Sequence, residues 1–201
     1  MLKVKIAVFV SGGGTNLGAL LEAQKNGELK SGEIRLVVSN RADAFALTRA
    51  DCFGIKTNVI LRKGKTPAEF EDELISLLVE NEIELIVLAG FMCILSNNFT
   101  EKFKDRIINV HPSLIPSFCG EGYYGLKVHE AALKYGVKVT GATVHYVNEI
   151  PDGGEIIMQK AVEIDETDTP ETLQKKVMQQ AEWVILPVAT EKVCKKLLEE
   201  K

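Results

Sequence analysis

The stretch VKIAVFVSGGGTN, residues 4–16, decides the fold class of this chain. Its first seven residues form a nearly continuous apolar run, which is typical of a strand buried on both faces of a parallel sheet. Three glycines follow, and Leu17, Leu20 and Leu21 then recur at helical spacing. The order of strand, glycine-rich turn and helix predicts the first unit of an α/β fold.

The glycine-rich turn is a candidate phosphate site. Glycine allows positive φ and close approach of the backbone to a ligand, and a helix N-terminus offers unpaired N–H groups at the positive end of the helix dipole. Leu17 stands where the dinucleotide fingerprint requires glycine, and Gly18 is followed by Ala19 instead of the lysine of a Walker loop. We therefore expect the turn to bind a single phosphate monoester. The alternative is a tight β–α turn without a ligand.

The alternation of strands and helices continues along the chain. Apolar runs predict further strands at 34–38, 55–60, 84–89, 107–111, 137–147 and 155–164. Periodic stretches predict helices at 43–53, 66–78, 96–103 and 126–135, and a last helix from Thr169 to the C-terminus with one break at Pro187. This order indicates a doubly wound, mostly parallel sheet of about seven strands with helices on both faces, formed by one domain over residues 1–201.

Composition argues against several classes of function. A net charge of −4 offers no basic field for nucleic acid, and no segment approaches the run of about 18 apolar residues that spans a bilayer. The four cysteines and three histidines show no metal-ligand spacing, so we expect no metal and reduced thiols. Residues 1–6 lead directly into a strand without the shape of a signal peptide, which favours the cytoplasm. We expect a monomer or a homodimer.

The strand at 107–111 carries the candidate chemistry. It runs into the segment NVHPSLIP, residues 109–116, whose prolines stop the strand. Asn109 and His111 are two residues apart, so their side chains emerge on the same side and could bind and protonate a carbonyl oxygen. Asp152, in another loop, would raise the pKa of His111 above its reference of about 6.5. The alternatives are a hydrogen-bonded structural histidine and an aspartate that bonds its own turn.

Three loops follow strand ends and should meet. In doubly wound sheets, ligands bind at the C-terminal ends of the strands. The glycine-rich turn, the loop at 90–95 and the edge at 109–111 all lie at such ends. The glycine- and aromatic-rich segment 117–124 is typical of a mobile loop over a site.

Five segments together resemble one family. They are SGGGTN at 11–16, LAGFM at 88–92, NVHPSLIP at 109–116, TVH at 143–145 and DGG at 152–154. The chain resembles the phosphoribosylglycinamide formyltransferases, which use 10-formyltetrahydrofolate to formylate glycinamide ribonucleotide in purine synthesis. The segment HPSL alone is typical of the wider formyltransferase superfamily, whereas the complete set with the phosphate loop is specific to the purine enzyme.

The resemblance implies ligand-binding roles for particular residues. The substrate phosphate would be held by Gly14, Thr15 and Asn16. The folate pocket would be lined, largely through backbone groups, by Met92, Cys93, Ile94 and Leu95, with Asn109 beside them. Glu182 would lie near the substrate amine, although its helix needs a one-residue shift in alignment. Residues 1–105 would form the phosphate-binding half and residues 106–201 the catalytic and folate half.

The resemblance also implies a mechanism of direct attack. The substrate amine adds to the formyl carbon, and Asn109 and protonated His111 hold the oxyanion. Asp152 would keep His111 charged and relay protons through water. His129 and His145 match family histidines, and we interpret both as supporting residues.

The sequence departs from the family pattern at four places. Pro67 stands near the position of a folate-contacting arginine, for which Arg62, Lys63 or Lys65 could substitute. Cys93 replaces an arginine that often follows the methionine of the folate loop. The segment 117–124 is longer than the common form, and Trp183 replaces a histidine. These changes concern the folate tail and the loop over the site.

Three alternative functions stay open from the sequence. The chain could deformylate the folate with water, formylate initiator methionyl-tRNA, or bind folate or nucleotide without catalysis on the same fold. The first enzyme usually carries an extra N-terminal domain and the second an extra C-terminal domain, for which 201 residues leave no room. The acidic composition also disfavours tRNA.

Overall fold

One sheet runs through residues 2–201, the part of the chain that this computed structural model describes. Its strands are β1 (Val4–Val10), β2 (Gly32–Ser39), β3 (Lys56–Val59), β4 (Leu85–Leu88), β5 (Ile107–His111), β6 (Val139–Tyr146) and β7 (Ile156–Glu163). Their spatial order is β3-β2-β1-β4-β5-β6-β7. Neighbours from β3 to β5 run parallel, whereas β6 is antiparallel to both β5 and β7. The predicted seven-stranded, mostly parallel sheet is confirmed.

Helices cover both faces of the sheet, as predicted. They are α1 (Thr15–Lys25), α2 (Phe45–Cys52), α3 (Pro67–Glu80), α4 (Asn97–Lys102), α5 (Leu126–Tyr135), α6 (Pro170–Val177), a π-helix (Met178–Glu182) and α7 (Trp183–Glu199). Val8 of β1 belongs to the apolar cluster of α1, α2, α6 and α7. Phe9, on the opposite face, belongs to the cluster of α3 and α4. The strand is therefore buried on both faces, which explains its nearly continuous apolar sequence.

Two helix starts lie where capping residues predict them. The side chain of Thr66 accepts a hydrogen bond from the Glu69 N–H, the Glu69 carboxylate accepts one from the Thr66 N–H, and Pro67 is the first residue of α3. Ser96 caps α4 by accepting from the Phe99 N–H.

The predicted break of the last helix at Pro187 is wrong. Pro187 lies inside α7, and the irregular segment is the π-helix Met178–Glu182, which ends five residues earlier. A π-helix contains more residues per turn than an α-helix and so accommodates an extra residue. The extra residue changes which side chains face the sheet before α7 begins. Glu182, at the end of this segment, is buried.

The strand order brings the candidate loops together. The order reverses between β1 and β4, so the loops that follow these two strands border one crevice, beside the end of β5. Among the helices of residues 2–201, none combines the length with the hydrophobicity that a bilayer crossing requires. That part of the chain also contains no group of three or more His, Cys, Asp or Glu side chains placed to hold a metal ion.

Candidate functional site

The glycine-rich turn enters α1 through Gly14. Its backbone has φ 69°, a left-handed conformation that favours glycine. A side chain here would also collide with the next helix, because a Cβ would lie 2.5 Å from the Cβ of Ala46. No side chain caps α1, so the N–H groups of its first turn, including those of Thr15 and Asn16, have no intrahelical partner. Such a terminus suits an anion.

Asn16 connects the start of α1 to the π-helix. Its Nδ2 donates to Oε2 of Glu182 at 2.6 Å, and both side chains are buried. Burial raises the pKa of Glu182 to about 7, against the opposing effect of the Asn16 hydrogen bond. Within residues 2–201, the Oδ1 atom of Asn16 is buried without a hydrogen-bond partner. The structure thus gives Glu182 a place beside the glycine-rich turn and not on a solvated helix face.

The loop after β4 is tied to the end of β1. The Met92 N–H donates to the hydroxyl oxygen of Ser11 at 2.8 Å, directly before the three glycines. Cys93 accepts a hydrogen bond from Asn40 Nδ2 at 3.0 Å. Met92 and Ile94 are exposed, whereas Leu95 packs into the core. The loop therefore presents two apolar side chains and its backbone beside the glycine-rich turn.

A buried carboxylate fixes the far end of this loop. Glu71 of α3 accepts from the Ser96 N–H at 2.7 Å and also from its hydroxyl. Glu71 was not predicted as part of the site, although the sequence contains a signal for its burial. It lies three residues before Leu74 and seven before Leu78, and so falls on the apolar stripe of α3, where an unpaired charge would be costly.

Asn109, His111 and Asp152 come together at the end of β5. Nδ1 of His111 lies 3.4 Å from Oδ2 of Asp152, and Nδ2 of Asn109 lies 3.5 Å from Oδ1 of the same carboxylate. His145, opposite Asn109 on β6, joins them, since its Nε2 lies 3.2 Å from Asn109 Nδ2 and 3.5 Å from Asp152 Oδ1. Asp152 thus faces three side chains of the site instead of bonding its own turn.

The segment 117–124 lies over this cluster. Nε2 of His111 donates to the carbonyl oxygen of Phe118 at 2.9 Å. The Gly120 N–H donates to Oδ2 of Asp152, also at 2.9 Å. The composition of the segment predicted its position over the site but not these two contacts, because backbone groups leave no signal in side-chain patterns. Mobility of the segment stays a prediction.

The predicted rise in the pKa of His111 is wrong for this arrangement. His111 is 4% exposed, and its burial lowers the pKa more than the Asp152 carboxylate and the Phe118 carbonyl raise it. Burial also acts to raise the pKa of Asp152, but His145, His111 and the Gly120 N–H outweigh it and hold that pKa below its usual value. Asp152 is therefore a carboxylate at neutral pH beside an imidazole that gives up its proton readily.

A second buried histidine lies close to the cluster. His129 of α5 is fully buried, and burial followed by repulsion from His111 lowers its pKa to about 4. Neither of its ring nitrogens has a hydrogen-bond partner within residues 2–201. It is therefore neutral at physiological pH.

The basic residues considered for the folate tail lie in one exposed connection. Arg62 and Lys63 are exposed, while Lys65 forms an ion pair with Glu73 at 2.5 Å. Arg62 and Lys63 thus remain the stronger candidates to meet an acidic tail.

Comparison with known proteins identifies the family. The family model described as formyl transferase matches residues 4–189. The chain is 40% identical to the phosphoribosylglycinamide formyltransferase of Haemophilus influenzae over 92% of this chain and 84% of that protein. A crystal structure of glycinamide ribonucleotide transformylase 1 from Symbiobacterium toebii superposes with a TM-score of 0.90 at 35% identity, covering 96% of this chain and 89% of that one.

Longer relatives contain a similar segment. The chain is 45% identical to the trifunctional purine biosynthetic protein adenosine-3 of Gallus gallus over 95% of its own length, yet it spans only 18% of that protein. The similarity to the Haemophilus influenzae and Symbiobacterium toebii proteins extends over most of both chains. This chain belongs to the formyl transferase family, among its phosphoribosylglycinamide formyltransferases.

Proposed function

We infer that this chain transfers the formyl group of 10-formyltetrahydrofolate to the amine of glycinamide ribonucleotide. The products are formylglycinamide ribonucleotide and tetrahydrofolate, in de novo purine biosynthesis. The observation that carries this inference is the cluster of Asn109, His111 and Asp152 at the crevice that the glycine-rich turn also borders. Membership of the formyl transferase family supports a formyl-folate as the cosubstrate.

The phosphate of the substrate belongs at the glycine-rich turn. Gly14, Thr15 and Asn16 would bind it through the open N–H groups at the start of α1. Glu182 would then face the rest of the substrate, because it is hydrogen-bonded to Asn16. With a pKa of about 7, Glu182 can accept a hydrogen bond from the glycinamide amine in its carboxylate form.

The folate belongs along the loop after β4. The loop of Met92, Cys93, Ile94 and Leu95 would hold it through backbone groups and through the exposed side chains of Met92 and Ile94. Asn109 lies on β5, the strand next to β4, so it can reach the formyl end of a folate bound there.

The formyl oxygen would replace the Phe118 carbonyl at His111. That carbonyl lies 2.9 Å from Nε2, the distance that an oxygen needs to accept this hydrogen bond. Nδ1 of His111 faces the Asp152 carboxylate, so both ring nitrogens face acceptors, and only the imidazolium donates to both. Burial lowers the pKa of the free site, whereas negative charge on a substrate oxygen would raise it. His111 thus donates most strongly when the oxyanion forms.

Asn109 would supply the second donor. Its 3.5 Å contact with Asp152 is at the limit of a hydrogen bond, so this N–H can turn to the formyl oxygen while the contact of 3.2 Å with His145 persists. The amine forms a bond to the formyl carbon, and the bond from that carbon to the folate nitrogen then breaks. The amine loses a proton and the folate nitrogen gains one, with Asp152 relaying protons through water.

The remaining expectations also stand as proposals. Both substrates are small molecules, no nucleic acid or metal takes part, and the chain is a cytoplasmic monomer or homodimer. Residues 1–105 form the phosphate-binding half and residues 106–201 the catalytic and folate half. The hydrogen bond between Asn16 and Glu182 joins these halves across the site.

The decisive experiment measures folate release spectrophotometrically. The purified chain is given 10-formyltetrahydrofolate with and without glycinamide ribonucleotide. Release only with the ribonucleotide, together with formylated product, is expected. Equal release without it would make water the acceptor and the chain a hydrolase. Binding of both ligands without release would leave a binding module.

A further inference from the structure

Helix α2 donates hydrogen bonds to two successive carbonyl groups of the glycine-rich turn. The Ala46 N–H donates to the carbonyl oxygen of Gly12 at 3.0 Å. One turn later, Nε of Arg49 donates to the carbonyl oxygen of Gly13 at 2.8 Å. The first contact also satisfies an N–H at the start of α2, where Ala44 provides no side-chain cap.

These contacts decide which backbone groups of the turn face a ligand. A carbonyl oxygen aimed at a phosphate would repel it, so a phosphate site must direct its carbonyls elsewhere. Both carbonyls point to α2, and the left-handed Gly14 then packs directly on Ala46. The N–H groups at the start of α1 are left free to meet the anion.

Arg49 differs from Arg35 and Arg41 in the partners of its guanidinium. Arg35 and Arg41 pair with the carboxylates of Glu33 and Asp43. Arg49 has no carboxylate oxygen within 4.0 Å in residues 2–201, and its guanidinium carbon lies 5.1 Å from the ring centre of Phe45. The side chain is therefore oriented by a ring and a carbonyl, and no carboxylate in residues 2–201 pairs with it beside the turn.

We propose that Arg49 is a positioning residue for the substrate phosphate. Its guanidinium holds the Gly13 carbonyl on α2, which keeps the N–H groups of the turn aimed at the phosphate. The role rests on the proposed function, and it depends on the geometry of Nε rather than on charge alone. A lysine at position 49 keeps the charge but loses the planar donor that the Gly13 carbonyl meets.

The test compares substrates with and without a phosphate. Arg49→Gln and Arg49→Lys should each raise the KM for glycinamide ribonucleotide about 10- to 100-fold, with kcat and the KM for the folate nearly unchanged. Neither variant should alter the kcat/KM for the dephosphorylated substrate, glycinamide riboside, which does not use the turn. Arg41→Gln, which removes a paired arginine nearby, is the matched control and should behave as wild type.

Three kinetic outcomes would overturn the proposal. Wild-type kinetics in Arg49→Lys would show that charge suffices. An equal loss with the riboside would show that Arg49 only stabilises the fold. Unchanged kinetics in Arg49→Gln would show that the contact between Arg49 and the Gly13 carbonyl does not contribute to phosphate binding.

A binding measurement separates this proposal from the proposed function. The only tryptophan, Trp183, lines the same groove of about 680 Å³ as Thr15 and Arg49, so its fluorescence can report ribose 5-phosphate at the turn. Ribose 5-phosphate should bind Arg49→Gln about 10-fold or more weakly than wild type and Arg41→Gln equally well. This holds even for a chain that shows no formyl transfer. Equal affinity in Arg49→Gln would refute the role of Arg49 whatever the activity.

Discussion

Under the proposed function, the glycine-rich turn and the cluster at the end of β5 would act on their ligands by different physical means. The turn offers backbone N–H groups, and two of its carbonyl oxygens accept hydrogen bonds from α2. The cluster combines Asn109 with three titratable side chains, His111, Asp152 and His145. Backbone groups of the segment 117–124 contact His111 and Asp152. Substrate binding at the turn therefore depends on geometry, whereas chemistry at the cluster depends on protonation. The two functions should be separable by mutation.

Removal of the Asp152 charge should have the largest effect. Asp152→Asn preserves the shape and an acceptor for the Gly120 N–H but no longer favours the protonated form of His111. We expect kcat to fall about 100- to 1,000-fold, which corresponds to about 2.7–4 kcal/mol, because oxyanion stabilisation is lost. The KM for glycinamide ribonucleotide should stay the same. Steady-state kinetics of the purified variant measure both values.

A matched control tests whether the loss is local. Asp168 pairs with Lys176 at 2.8 Å and, like Asp152, has a pKa below its usual value, here because of that hydrogen bond. Asp168→Asn should keep wild-type turnover. Near-normal turnover in Asp152→Asn would reject the proposed division of labour between turn and cluster.

His129, close to the cluster, should make the free energy of unfolding fall in acid. Its pKa is about 4 in the folded chain and about 6.5 when unfolded, so between these values the unfolded chain binds more protons. Stability is therefore complete above pH 6.5 and falls as the pH drops towards 4, by at most about 3 kcal/mol. His129→Leu loses no hydrogen bond and should remove this loss. Urea unfolding at pH 7 and pH 4.5 measures it, and an unchanged acid loss in the variant would contradict the assignment.

Glu182, beside the turn, should give the free energy of unfolding the opposite pH dependence. Its pKa is about 7 when folded and 4.5 in the reference state, so the folded chain retains a proton that the unfolded chain releases. The contribution is complete below pH 4.5 and is lost as the pH rises through 7, again by at most about 3 kcal/mol. Glu182→Gln keeps an acceptor for Asn16 and should flatten stability between pH 5 and 8. The same urea unfolding series, run with His129→Leu alongside, compares the opposite pH dependences that Glu182 and His129 give to stability.

Local sequence signals predicted the fold and the members of the site. The period of two residues placed Asn109 and His111 on one side of β5, and the capping residues Thr66 and Ser96 located two helix starts. These features depend on residues close in sequence. The doubly wound, mostly parallel sheet followed from the repeated alternation of strands and helices, since such connections have few arrangements. The spatial order of the strands is known only from the structure.

Properties that depend on packing between residues distant in sequence were not predicted. The pKa of His111 is lowered by burial under the segment 117–124, which residue types alone do not reveal. Arg49 contacts the Gly13 carbonyl across 36 positions of sequence. The π-helix Met178–Glu182 contains no proline or glycine that would indicate it in the sequence, whereas Pro187, which has the stronger sequence signal, fits within α7.

Ser11 links the turn to the loop after β4, the proposed folate loop, and its replacement should give the smallest effect. Ser11→Ala leaves the Met92 N–H without its acceptor, at a cost of about 1 kcal/mol. This loss should loosen the folate loop and raise the KM for the folate about fivefold, while the KM for glycinamide ribonucleotide stays constant. Ser76→Ala, which removes a hydroxyl bonded to the Asp72 carbonyl on the surface of α3, is the control. An equal rise in both KM values in Ser11→Ala would show that the hydroxyl holds the two loops as one unit, and the comparison would then extend to a third, shared element.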